Sequence, residues 1–141
     1  MAKHAKLKLS VFRVGAPRAR GEGLRLGTVR FLPRGIAKKD YARRDQFDVW
    51  FPLLAPSQAL FRWFTSGERT DARFTTFAAR YRKEMAGSDR RQAIALLALL
   101  ARHTPIAVGC YCQTTHCHRF VLEKLIHEAA RGIAPGAAGG A

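Results

Sequence analysis

The segment Pro105-Ile-Ala-Val-Gly-Cys-Tyr-Cys-Gln-Thr-Thr-His-Cys-His-Arg119 decides how this chain of 141 residues folds. Its first half, up to Tyr111, is apolar on both faces, which is typical of a strand inside a parallel sheet. A short polar loop follows, and a helical pattern begins near Cys117. The sequence therefore predicts a strand, a loop and a helix in succession, with the reactive side chains collected around the loop.

The rest of the chain predicts further strands and helices around this segment. Leu7 to Val14 alternates like a strand, Thr28 to Leu32 fits a short strand, and Phe47 to Leu54 fits a strand or a buried extended segment. Amphipathic helices are predicted after them, and the expected caps are Ser57, Asp71, and Ser88 or Asp89. This order predicts an α/β fold, a single-domain sandwich with a small, mostly parallel sheet flanked by helices.

Composition gives the expected extent and setting of this domain. Hydrophobic residues make up 48% of the chain, which is enough for one core, so we predict one domain over residues 1–131 and a flexible Gly/Ala-rich tail over 132–141. We find no apolar run that fits a membrane span or a signal segment, and we therefore predict a cytoplasmic protein with no membrane partner. The oligomeric state is not readable from these patterns.

The charge balance points to the kind of partner. The chain has 25 Lys and Arg against 10 Asp and Glu, a formal net charge of +15. Such a balance favours a phosphorylated small molecule or nucleic acid, because each neutralised phosphate releases counterions. The alternative interpretation is a biased composition whose excess charge is simply solvated.

The loop after the predicted strand offers two kinds of chemistry. Cys112 or Cys117 could act as a nucleophile, with His116 or His118 as its base. The start of the following helix favours an anion, and Arg119 could add a bidentate contact to it. A cytoplasmic protein with three clustered cysteines is not a disulfide framework, although a redox-active link between Cys112 and Cys117 is sterically conceivable.

A metal is the third interpretation of the same loop. Cys110, Cys112, Cys117 and His118 supply up to four ligands, which is enough for zinc. The spacing is not one of the common zinc patterns, and two of these cysteines lie on one strand, where side chains converge poorly on a metal. We therefore predict no cofactor, with zinc as the metal that these four residues would hold if one binds.

Several separated motifs carry a resemblance to a known family. The Cys-x4-Cys-His-Arg ending before a Leu-rich helix resembles the domain-of-unknown-function 488 family. The run from Phe31 to Ile36 followed by Lys38, then Trp50 with Ala-Pro-Ser, and the pair Phe77 and Tyr81 resemble its YeaO-like branch. The resemblance covers roughly Leu7 to Ile126 and implies a compact α/β cytoplasmic protein, with no reaction attached. The branch usually has an acidic residue before the arginine that precedes its Leu-aromatic-Pro run, whereas Val29 stands there in this chain.

The resemblance also brings two arginine-bearing turns into one hypothesis. Arg34 lies in the Pro-Arg-Gly turn and Arg119 in the Cys-His-Arg loop, and both follow strand-like runs. We predict a single ligand-binding anion site formed by Arg30, Arg34, Lys38 and Arg119, with Lys39 beside it. The competing interpretation is that Arg34 pairs with Asp40 or Asp48 and fixes its loop.

The sequence thus leaves three functions open. The leading hypothesis is a basic α/β protein that binds a phosphorylated ligand or nucleic acid at the Pro-Arg-Gly turn and the Cys-x4-Cys-His-Arg loop. The second is a Cys/His-dependent enzyme acting on a small nucleotide-like or sulfur-containing substrate, with Cys112, Cys117 and His118 as catalytic residues. The third is a metal-binding or redox-sensing protein.

Overall fold

Four parallel strands form one sheet in the computed structural model, which describes residues 6–132. The strands are β1 (Leu9–Arg13), β2 (Leu24–Gly27), β3 (Val49–Trp50) and β4 (Ile106–Cys110). Their order across the sheet is β1-β4-β2-β3, and all three neighbouring pairs are parallel. All five residues of β4 are buried, as the apolar segment predicted. The mixed α/β fold with a small parallel sheet in one domain is therefore confirmed.

The helices follow the predicted order, with differences at their starts. They are α1 (Gln58–Thr65), α2 (Asp71–Met85), α3 (Ser88–Leu100) and α4 (His118–Gly132), and short 3-10 turns lie at Lys38–Asp40 and Pro52–Leu54. The predicted cap at Ser57 is confirmed, because its Oγ accepts the Leu60 N–H at 3.1 Å. The caps predicted at Asp71 and at Ser88 or Asp89 are wrong. These residues begin the helices, and Thr70 and Gly87 stand at the cap positions.

The second strand lies earlier than the sequence pattern predicted. The structure places β2 at Leu24–Gly27, whereas Thr28 to Leu32 is not a strand. Arg25 within β2 is fully buried, and Gly27 lies against Phe47 so closely that an added Cβ would be 2.4 Å from the Phe47 ring. A buried cation and a glycine hide the strand pattern, because strand prediction depends on apolar and β-branched residues.

The two faces of the sheet are covered differently. Ile106 and Val108 of β4 pack into the larger apolar cluster, which includes the helical residues Phe77, Leu97 and Leu122. The opposite face packs into a smaller cluster that comes from β1, β4 and the irregular segments; its members include Phe12, Val29, Tyr41, Phe47 and Ala107. The helices therefore cover mainly one face of the sheet, and loops follow the carboxyl ends of the strands.

Gly132, where the predicted tail begins, is the last residue of α4, and the rest of that tail, residues 133–141, lies outside the described residues. Within residues 6–132, no helix is both long enough and apolar enough to cross a membrane.

Candidate thiol and imidazole site

Three sulfur atoms converge at the carboxyl end of β4. Cys110 ends the strand, Cys112 follows in the loop, and Cys117 directly precedes α4. All three cysteines are free thiols, and the Cys110 thiol donates to Cys112 Sγ at 3.6 Å. Cys117 Sγ lies within 4.8 Å of Cys110 Sγ. Both Cys110 and Cys117 are buried, whereas Cys112 is half-buried. The predicted cluster is therefore a spatial cluster, and Cys112 is its accessible member.

His118 completes this cluster from the first turn of α4. Its Nε2 lies 2.7 Å from the Thr28 carbonyl oxygen, which can only accept a hydrogen bond, so Nε2 carries the proton in the neutral ring. Nδ1 is then a bare lone pair, and it lies 3.9 Å from Cys117 Sγ. Burial lowers the pKa of His118 to about 4, so the ring is neutral near pH 7. Nδ1 is thus the acceptor that faces the thiols.

The three thiols differ in pKa, because they differ in hydrogen bonding and burial. The hydrogen bond from Cys110 lowers the pKa of Cys112, and the charge of Arg69 acts in the same direction. Hydrogen bonds to its two neighbours, together with burial, raise the pKa of Cys110. The neighbouring Cys110 thiol lowers the pKa of Cys117, but the neighbouring Cys112 and burial raise it overall to about 11. Cys112 is therefore the sulfur that ionises first.

A small cavity opens beside the cluster. Its volume is about 90 Å³, and Cys110, Cys112 and His118 form part of its wall. The remaining wall is largely apolar; its residues include Val29, Phe31, Pro56, Phe61 and Tyr111. Cys117 is not among the lining residues, so a small ligand in the cavity would meet Cys112 before Cys117.

The four predicted anion-binding residues occupy different settings. Arg119 is buried, its Nη1 donates to the Cys112 carbonyl at 2.8 Å, and its Nε has no hydrogen-bond partner among the described residues. Arg30 lines the cavity while its guanidinium donates to the Pro56 carbonyl at 3.1 and 3.2 Å. Arg34 and Lys38 are exposed. The ion pair of Asp40 is with Arg43 and that of Asp48 is with Arg18, so neither carboxylate forms the predicted pair with Arg34.

His116, the second candidate base, lies apart from the thiol proton network. Its Nε2 is 2.8 Å from the Asp71 carboxylate, and its ring stacks on Phe74 with centroids 5.0 Å apart. His118, in contrast, lies under the cluster and packs 5.5 Å from the Tyr81 ring. Of the two histidines, His118 is therefore the one whose ring faces the sulfurs.

Thr28 is a site residue that the sequence patterns did not reveal. Its Oγ1 donates to the Gly109 carbonyl at 2.9 Å and lies 3.2 Å from His118 Nε2, while its carbonyl holds the ring. The signal that could have found it is its position, because Thr28 directly follows β2, the parallel neighbour of β4. Residues at the carboxyl ends of adjacent parallel strands meet at one edge of the sheet.

The same donor set is suited to a metal. One ligand atom each from Cys110, Cys117 and His118 lies within 4.8 Å of the other two. The Nε2–H of His118 donates to a backbone carbonyl, which is the usual arrangement of a histidine that ligates metal through its other nitrogen. Sulfur and imidazole nitrogen are the ligands of structural zinc sites. Cys112, the fourth predicted ligand, lies 3.6 Å from Cys110 Sγ but is not a member of this group of three.

The fold and this cluster define a parallel α/β protein with a thiol and imidazole site at the carboxyl end of its central strand. Comparison with family models places residues 9–130 in DUF488-N3a, described as the active DUF488-N3 subclade, and the chain therefore belongs to that family. The resemblance to the domain-of-unknown-function 488 family is confirmed, while its YeaO-like branch stays a prediction. Searches of the curated proteins and of the solved structures found no significant match.

Proposed function

We propose that the protein is a thiol-dependent enzyme in which Cys112 is the nucleophile. The observation that carries the proposal is the position of Cys112, half-buried at a cavity wall with Cys110 donating to its sulfur. Hydrogen bonds from neighbouring thiols stabilise a thiolate, which is the reactive form of cysteine. The description of the family as an active subclade agrees with a reactive site.

His118 and Cys110 would prepare this nucleophile. The neutral ring of His118 accepts a hydrogen bond from Cys117 at Nδ1, which fixes the direction of that thiol proton. Cys110 then supplies the S–H that points to Cys112. In the reaction, Cys112 Sγ forms a bond to an electrophilic atom of a small ligand, and the leaving group departs with the electron pair of the bond that breaks. The cavity of about 90 Å³ restricts the reacting part of the ligand to a small group.

The test is the rate of alkylation by iodoacetamide, followed by mass spectrometry at each cysteine between pH 5 and pH 9. We expect Cys112 to react with an apparent pKa below about 7, compared with about 8.5 for an ordinary thiol. Cys110→Ser removes the S–H donor and should shift the Cys112 profile toward higher pH. A Cys112 profile like that of glutathione, unchanged by Cys110→Ser, would overturn the proposal.

Zinc binding is the second candidate function. It is favoured by one observation, the bare Nδ1 lone pair of His118 beside the sulfurs with Nε2–H held by a carbonyl. Native mass spectrometry of protein purified without reductant or chelator separates the two functions. A mass higher by one zinc ion that is lost in Cys117→Ser would favour a metal site, and the apo mass would favour the free thiols. A mass lower by two hydrogens would show the redox link instead.

A further inference from the structure

A second surface feature lies at the edge of the sheet beyond the thiol site. It is a groove of about 280 Å³ whose lining residues include Leu32, Lys38, Lys39, Tyr41, Asp48 and Trp50. We call it the edge groove. It lies at β3, which stands at the end of the strand order, and both residues of β3 are exposed. The groove is larger than the cavity beside the cysteines, and it combines aromatic and cationic side chains.

The aromatic part of the edge groove is rigid and accessible. Trp50 is 41% exposed, although its Nε1 donates to the Val29 carbonyl at 2.7 Å. That hydrogen bond fixes the indole while leaving part of its surface open to solvent. An exposed aromatic ring held in place is suited to stacking with an unpaired base, because every base has a π-face.

The cationic part of the groove has its charges available. Lys38 and Lys39 are exposed, and neither takes part in an ion pair among the residues that the structure describes. The acid in the groove, Asp48, accepts two hydrogen bonds from Arg18 and one from the Arg25 N–H. Its charge is therefore already compensated. The net field of the groove is positive, in a protein whose formal net charge is +15.

We propose that the edge groove binds single-stranded nucleic acid, with a base stacked on Trp50 and the backbone phosphates at Lys38 and Lys39. A single strand fits better than a duplex because its bases are free to stack on protein rings. Binding in the groove is argued from the geometry of the groove alone. A strand bound there would continue past Phe31 to the Cys112 cavity, because Phe31 lines that cavity. This continuation rests in addition on the proposed function.

The binding test uses fluorescence anisotropy with a labelled oligothymidylate and a labelled oligouridylate of about 12 nucleotides, within the usual site size. We expect Trp50→Ala to weaken binding at least about fivefold and Trp50→Phe to keep most of the affinity. Lys38→Ala with Lys39→Ala should lower the slope of log affinity against log salt by about 1.4, since each single-strand phosphate contact contributes about 0.7. Tight binding of either oligonucleotide supports the groove.

Matched controls make the test decisive. Arg91→Ala with Lys124→Ala removes the same charge from exposed positions on α3 and α4, and this variant should bind within about twofold of the parent protein. An abasic oligonucleotide and a duplex should both bind more weakly than the single strand. Equal loss in the control variant, or equal affinity for the abasic strand, would overturn the inference. Trp50→Ala should leave the iodoacetamide profile of Cys112 unchanged, so a failure of nucleic-acid binding is distinct from a failure of the thiol chemistry.

Discussion

Two buried polar clusters flank the sheet, and they differ in how completely their atoms are paired. Around Arg25, the guanidinium donates to the Glu22 carboxylate and to the Asp45 carbonyl, and it stacks over the Phe12 ring at 4.4 Å. Around His118, Nε2 is paired with Thr28, but Nδ1 faces sulfurs and the cluster borders a cavity. The first cluster is closed and structural, whereas the second keeps an acceptor and a thiol available for chemistry.

Arg25→Ala should have the largest effect on stability of the changes considered. The Arg25 side chain is fully buried and that of Glu22 is 6% exposed, so the substitution leaves a carboxylate buried without its partner. We expect a loss of about 3–5 kcal/mol in the free energy of unfolding, measured by chemical denaturation. The control is Arg18→Ala, which breaks a more exposed pair with Asp48 and should cost about 1 kcal/mol or less. Equal costs would show that the Arg25 cluster is not a structural centre.

The second-largest loss of stability is expected when the pH is lowered through the range in which His118 titrates. The pKa of His118 is about 4 in the folded protein and 6.5 in its ordinary state, so the unfolded chain binds more protons between these values. Stability therefore falls as the pH is lowered from about 6.5 to about 4, by about 3 kcal/mol in metal-free protein. His118→Gln does not titrate and should flatten this part of the curve. An unchanged curve would mean that the ring does not carry the acid sensitivity.

Thr28→Val should have a moderate effect, because Thr28 links the two central strands to His118. The substitution removes the hydroxyl that donates to the Gly109 carbonyl at 2.9 Å. We expect a loss of about 1–2 kcal/mol in chemical denaturation. Thr65→Val removes an exposed hydroxyl bonded to the Phe61 carbonyl within a helix and serves as the control, with an expected cost of about 0.5 kcal/mol or less. A similar cost at both positions would remove the special role of Thr28.

Cys112→Ser should change stability least and thiol reactivity most. Cys112 is only half-buried, so we expect the free energy of unfolding to change by about 0.5 kcal/mol or less. Rapid alkylation at neutral pH should disappear with it, as measured by iodoacetamide labelling. Cys117→Ser, at a buried position, should cost more stability. A larger loss in the free energy of unfolding for Cys112→Ser than for Cys117→Ser would contradict this prediction.

The sequence predicted those parts of the fold whose signal is local. The strand β4 is apolar throughout, and Ser57 lies directly before an amphipathic helix, so both could be recognised from neighbouring residues. The cysteines lie within ten positions of His118, so their grouping around the loop could be predicted. Their convergence could not, because the pattern placed Cys110 and Cys112 on one strand, whereas β4 ends at Cys110. The strand β2 was misplaced because Arg25 looks like a loop residue until its buried partners are known.

The remaining parts of the site depend on contacts across the chain. Thr28 meets the His118 ring across 90 positions, and no local pattern indicates that contact. The choice between His116 and His118 as the histidine under the sulfurs is likewise made by distant partners, Asp71 for the first and Thr28 for the second. The setting of Arg119 against the Cys112 carbonyl depends on how the loop folds back on α4.

The position of β4 has a consequence for how the protein is made. β1 and β2 are not hydrogen-bonded to each other, because β4 lies between them, and Thr28 and Gly109 are 81 positions apart. During synthesis, β2 can pair with the two-residue strand β3, but β1 gains its neighbour in the sheet only when the chain beyond Cys110 has left the ribosome. The same event brings the sulfurs to Thr28, so the thiol cluster is assembled only when the sheet closes. A nascent chain stopped before Ile106 would therefore have neither a complete sheet nor the thiol cluster.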